Sequence, residues 1–95
     1  MAFQLENSSE AEAQITKIME DKSKKGLQKQ LKKSLKLLRE NPRHPGLNSH
    51  LLGECEGMKV WTSYVQNKTP QAYRVLWTYG EKKDTIFILQ VIPHY

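Results

Sequence analysis

Tyr73-Arg74-Val75-Leu76-Trp77, continued to Tyr79, is followed by Gly80-Glu81-Lys82-Lys83-Asp84 and then by Thr85 to Ile92. Two β-branched and aromatic runs joined by five turn-forming residues predict an antiparallel hairpin. The first of its strands spans Ala72 to Tyr79 and the second Thr85 to Ile92. Upstream, Lys59 to Val65 sets Val60, Thr62 and Tyr64 against Trp61, Ser63 and Val65, the period-2 alternation of a strand. The polar segment from Asn67 to Gln71, with Pro70, joins it to the hairpin, so the three strands form a meander.

The N-terminal half has a different period. Leu27, Leu31, Leu35 and Leu38 fall on one helical stripe, widened by Ser34 and Leu37, while Lys29, Lys32, Lys33, Lys36 and Arg39 occupy the rest. Asn41-Pro42 ends this helix, because a residue before proline avoids the helical region. An earlier helix starts at the capping box Ser9 to Glu12, carries Ala11, Ile15, Ile18 and Met19 at helical spacing, and ends in Asp21 to Ser23. A small loop between them makes a helical hairpin. Phe3-Gln4-Leu5-Glu6 alternates and predicts a short first strand. Asn41 to Gly57, punctuated by Pro42, Pro45, Gly46, Gly53 and Gly57, predicts a long irregular connection. The fold class expected is α+β: a small antiparallel sheet, made of the short N-terminal strand and the C-terminal meander, covered on one face by the helical hairpin.

With 95 residues, the chain has room for one domain, 1–95. A hydrophobic fraction of 38% and a charged fraction of 26% are those of a globular protein rather than a disordered one. No apolar run is long enough to cross a bilayer, and no secretory signal is evident, so no membrane partner is expected. The lone Cys55 excludes an internal disulfide and points to a reducing, cytoplasmic compartment. The net charge is +5. Between Lys17 and His44 ten Lys/Arg face Glu20, Asp21 and Glu40, a local balance of +7, so the basicity is concentrated on the helices. Such a patch attracts nucleic acid or an acidic protein, the plainer alternative being a solvated helix face.

Four residues stand out chemically. Arg74, alone among apolar neighbours in a strand, must reach water or pair with an anion; its planar guanidinium suits a phosphate. His94 can move a proton near neutral pH, and Tyr95 can stack on a base or bond a phosphate; the alternatives are a surface histidine and an aromatic that packs the terminus. His50, before Leu51-Leu52-Gly53, can point into a cleft, whereas His44 between Arg43 and Pro45 reads as turn chemistry. No HxxxH, CxxC, P-loop or GxGxxG spacing occurs, so neither a metal site nor a cofactor is expected.

The order of Asn41-Pro42-Arg43-His44-Pro45-Gly46-Leu47, His50-Leu51-Leu52-Gly53, Lys59-Val60-Trp61, Tyr73-Arg74-Val75-Leu76-Trp77 and the segment Ile88 to Tyr95 resembles the RelE/ParE toxin superfamily over nearly the whole chain. The resemblance implies the toxin of a type II toxin–antitoxin module. Its RelE branch implies a ribosome-dependent messenger-RNA endoribonuclease that works without metal; its ParE branch implies a DNA gyrase inhibitor, and a non-catalytic binding protein is the remaining alternative. In the RelE branch a base activates a 2′-hydroxyl that attacks the adjacent phosphate, and an acid protonates the leaving oxygen. Arg74 then matches the phosphate clamp, His94 the near-terminal acid or base, and Tyr95 its aromatic neighbour. His50 or Glu54 would occupy the loop position of the base, and Lys59 would assist electrostatically. Lys29, Lys32, Lys33, Lys36 and Arg39 would contact RNA. The partners implied are the ribosome, messenger RNA and an acidic, partly disordered antitoxin, in a toxin–antitoxin hetero-oligomer.

Overall fold

The computed structural model describes residues 2–66 and 72–93. Strand β1 (Gln4–Asn7) leads to helix α1 (Ser9–Glu20), a short 3₁₀ turn (Lys22–Lys24), helix α2 (Lys25–Glu40) and a second 3₁₀ turn (Pro45–Leu47). Strands β2 (His50–Cys55), β3 (Met58–Tyr64), β4 (Tyr73–Tyr79) and β5 (Thr85–Pro93) follow. They form one sheet in the order β1-β5-β4-β3-β2, antiparallel except for β1 beside β5. The α+β class stands, with five strands instead of four. Among the described residues no helix is long and apolar enough to cross a membrane.

The added strand is β2, inside the segment read as irregular. Its hairpin with β3 turns at Glu56 (φ 52) and Gly57 (φ 81), two successive left-handed residues that match the twist of a two-residue turn. The register between β2 and β3 shifts between Leu51 and Gly53, leaving Leu52 as an extra residue. That bulge breaks the alternation, and five of the six β2 side chains are exposed, so no apolar period marked it as a strand.

The leucine stripe of α2 is buried as its spacing required: Leu27, Leu31, Ser34 and Leu38 face inward, with Leu35 and Leu37 at the margin. Ser34 donates its hydroxyl hydrogen to the Tyr64 carbonyl at 3.3 Å, tying α2 to β3. Ala11 and Ile18 from α1, Leu47 from the second 3₁₀ turn, Val65 just after β3, and Val75, Trp77, Ile86, Ile88 and Val91 from the sheet complete the core.

The cap of α1 is Ser8, one residue ahead of the expected box. Its Oγ accepts from the Ala11 amide at 3.0 Å and donates to the Leu89 carbonyl at 2.7 Å. Leu89 is available because β5 bulges there: Leu76 pairs with Gln90, but Trp77 pairs with Ile88. Ser8 also donates its amide to the Ile88 carbonyl, and Gln14 accepts from the Val91 amide at 2.7 Å. Helix α1 is thus fastened across the bulge. The bulge reverses the alternation of β5: Ile86 and Ile88 are buried before it and Val91 after it, which turns Gln90 and Ile92 to the other face.

A chain of hydroxyls anchors the loop after α2. Ser49 Oγ donates to the Pro42 carbonyl at 2.8 Å and lies 2.6 Å from Ser63 Oγ, which accepts from the Trp77 indole N–H at 2.7 Å. Since the Ser49 proton is committed to Pro42, Ser63 is the donor between the two serines. Each hydroxyl then donates once and accepts once.

Candidate functional site

The helices cover one face of the sheet and leave the other open. Strand alternation sends Tyr73, Val75, Trp77 and Tyr79 of β4 to the helix side and Arg74, Leu76 and Thr78 to the open side. Register extends the open row across the sheet: Arg74 is opposite Tyr64 on one flank and Ile92 on the other, and Thr62 is opposite both His50 and Leu76.

Arg74 is the chemical centre of this face. Its guanidinium carbon sits 4.4 Å from the centroid of the Tyr64 ring, and Nη2 donates to the Tyr64 hydroxyl at 3.3 Å. Its Nε is buried with no hydrogen-bond partner among the described residues, and the same is true of Thr62 Oγ1, from the same face. The only ion pair among the described residues joins Lys24 to Asp21, so no described carboxylate neutralises Arg74. A held guanidinium with unused donors is suited to an anion carrying several oxygens. Leaving such groups buried and unpaired costs free energy that a bound anion would recover.

His50 joins this face as the first residue of β2. Its ring lies 6.2 Å from the Tyr64 ring, edge to face at 77°, and its Nδ1 is 3.1 Å from the Asn48 carbonyl. The side chain is exposed, which leaves Nε2 free to meet a ligand. Glu54, the other candidate for the same role, is opposite Lys59. Lys59 alternates with Val60 and so lies on the side of Trp61; neither Glu54 nor Lys59 is brought to the Arg74 face. Lys29, Lys32, Lys33, Lys36 and Arg39 are all exposed on α2, in the layer behind the sheet. His94 and Tyr95 lie outside the described residues. The last described residue, Pro93, is opposite Tyr73 and follows Ile92, the partner of Arg74.

Tyr64 and Thr62 are the additions that sequence reasoning missed. Both stood in the alternating set Val60, Thr62, Tyr64, but pairing Tyr64 with Arg74 needs the strand register, which lies beyond the alternation alone. Among the described residues no three His, Cys, Asp or Glu side chains gather as metal ligands.

No family model matches the sequence, and no curated protein does. Solved structures do match. A YoeB/ParE toxin from Agrobacterium tumefaciens superposes with a TM-score of 0.74 at 9% identity, over 97% of this chain and 99% of that one. The YoeB dimer from Staphylococcus aureus gives 0.71 at 14% identity, over 100% of both chains. The archaeal RelE–RelB complex from Pyrococcus horikoshii gives 0.68 at 14% identity, over 98% of this chain and 96% of that one. These matches run along nearly the full length of each chain, and this chain has the fold of these YoeB and RelE toxins.

Proposed function

We propose that this protein is the toxin of a type II toxin–antitoxin module and that it cleaves messenger RNA on the ribosome. The observation that carries the reading is Arg74: a guanidinium braced by Tyr64, unneutralised by any described carboxylate, on a sheet face that no helix covers.

In the proposed reaction a base removes the proton of a ribose 2′-hydroxyl, whose oxygen attacks the adjacent phosphorus. The bond to the 5′-oxygen breaks, leaving a 2′,3′-cyclic phosphate, and an acid protonates the departing 5′-oxygen. Arg74 holds the non-bridging oxygens, where charge builds up in the crowded transition state. His50, which shares its face, is the base in this scheme, in preference to Glu54 on the opposite side. His94 serves as the acid and Tyr95 as a stacking or orienting group; both assignments rest on the sequence resemblance. The exposed lysines of α2 supply a salt-sensitive hold on ribosomal RNA phosphates. Two of the matching folds were solved with RelB and with YefM respectively; an acidic antitoxin segment is the corresponding partner proposed here for the basic helix.

A translation reaction with purified protein, read by primer extension of the message, tests the proposal. Cuts within codons are expected from the wild type. Arg74→Ala should lower the cleavage rate about a hundred- to a thousandfold, the loss typical of a removed transition-state donor. Intact message together with inhibited DNA gyrase would replace this reading with a gyrase inhibitor.

A further inference from the structure

On the helix side of the sheet, away from Arg74, a crevice of about 260 Å³ opens between the loop after α2 and the ends of β3 and β4. Pro42, Arg43, Ser49, Trp61, Trp77 and Tyr79 line it. Its walls are aromatic: Trp61 stacks on Trp77 with centroids 5.9 Å apart at 17°, and Tyr79 stands edge-on to Trp77 at 5.1 Å and 86°. Tyr79 is 41% exposed, although its neighbours Trp77 and Thr78 are buried, so a large ring stands at the mouth facing solvent.

The surroundings are cationic. Arg43 is exposed on the rim. On the far side of Tyr79, Phe3 lies 6.3 Å away and borders a second cavity that Arg39 and Lys83 line together with Asp84. None of these three cations forms an ion pair with a described carboxylate. The crevice is also rigid, because the hydroxyl chain from Trp77 through Ser63 and Ser49 to Pro42 fixes its floor and the loop that carries Arg43.

We infer that this crevice binds one nucleotide of a single-stranded nucleic acid, its base stacked against Tyr79 and its phosphate on Arg43. Aromatic platforms interleaved with unpaired cations form such a site: each base offers a flat face to the ring, and each phosphate offers a charge to the neighbouring cation. Arg39 and Lys83 would take the phosphate next along the strand. An apolar peptide would leave the cations unsatisfied. The inference does not depend on Arg74, which is on the opposite face.

The probe is a short oligoadenylate RNA, titrated while tryptophan emission is followed. Trp61 and Trp77 border the crevice, so occupancy should change their emission. Tyr79→Ala should weaken binding about five- to a hundredfold, the loss expected for one stacked base, while Tyr79→Phe keeps the ring and the affinity. Arg43→Ala, at an exposed side chain, should lower the slope of log affinity against log salt by about 1. Emission unchanged at saturation, or Tyr79→Ala binding as tightly as the wild type, would overturn the assignment and leave only diffuse attraction to the lysines of α2.

Discussion

The Tyr64 ring carries the Arg74 guanidinium, 4.4 Å from centroid to carbon, and the Tyr64 hydroxyl accepts from its Nη2. The tyrosine thus restrains the arginine without cancelling its charge, which a carboxylate would do. In a double-mutant cycle of Tyr64→Leu and Arg74→Met, the coupling in unfolding free energy should be about 1 kcal/mol. The exchange of the Arg74 Nε proton, followed by NMR, should be faster in Tyr64→Leu than in the wild type; equal rates would mean that the ring does not order the guanidinium.

Ser63 sits in the middle of the hydroxyl chain, between the Trp77 indole and Ser49. Ser63→Ala leaves a buried N–H without an acceptor, which should destabilise the fold by about 1–3 kcal/mol in denaturant unfolding. Ser49→Ala also loses two bonds, the one to the Pro42 carbonyl and the one from Ser63, but at a half-buried position where water can replace them, and should cost less.

Ser8 has two partners at once, the Ala11 amide and the Leu89 carbonyl. Loss of an ordinary helix cap costs roughly 1 kcal/mol. Ser8→Ala should exceed that, whereas Ser9→Ala, at the position favoured by the sequence alone, should be nearly silent. Thermal unfolding of the two variants separates the assignments.

Asp21 offers a pH test. Its carboxylate accepts from the Ser23 hydroxyl at 2.6 Å and from the Ser23 amide at 3.0 Å, and these bonds, the hydroxyl foremost, hold its pKa below the ordinary value of 3.8, with Lys24 adding to the effect. A pKa lowered on folding stabilises the native state above the unfolded value; that contribution fades as pH falls through the native one. NMR titration should place the Asp21 midpoint below the ordinary value, and Ser23→Ala should move it back up.

Periodicity revealed the elements that have one face in the core. The α2 stripe and the β3, β4 and β5 runs alternate or repeat because burial forces them to. β2 escaped notice because it is an edge strand with little to bury and a bulge at Leu52. The site divides in the same way. Arg74 stood out as a charge in an apolar strand, but its partner Tyr64 is set by register, which side-chain type does not encode. Glu54 and His50 were equivalent by sequence and are separated by the same bulge, one on each side of the sheet.

The bulge at Leu89 makes β5 a strand of two phases. Up to Ile88 one parity of residue number points inward; from Gln90 onward it is the other. Orientation in the second half is therefore set by counting from Leu89 as much as by side-chain character. A single inserted or deleted residue after Ile88 would exchange inside for outside, moving Val91 out of the core and Gln90 into it. Ser8, more than eighty residues earlier and bonded to the Leu89 carbonyl, ties the start of the chain to that count. The open face thus depends on a length as well as on a composition, and the first helix keeps the measure.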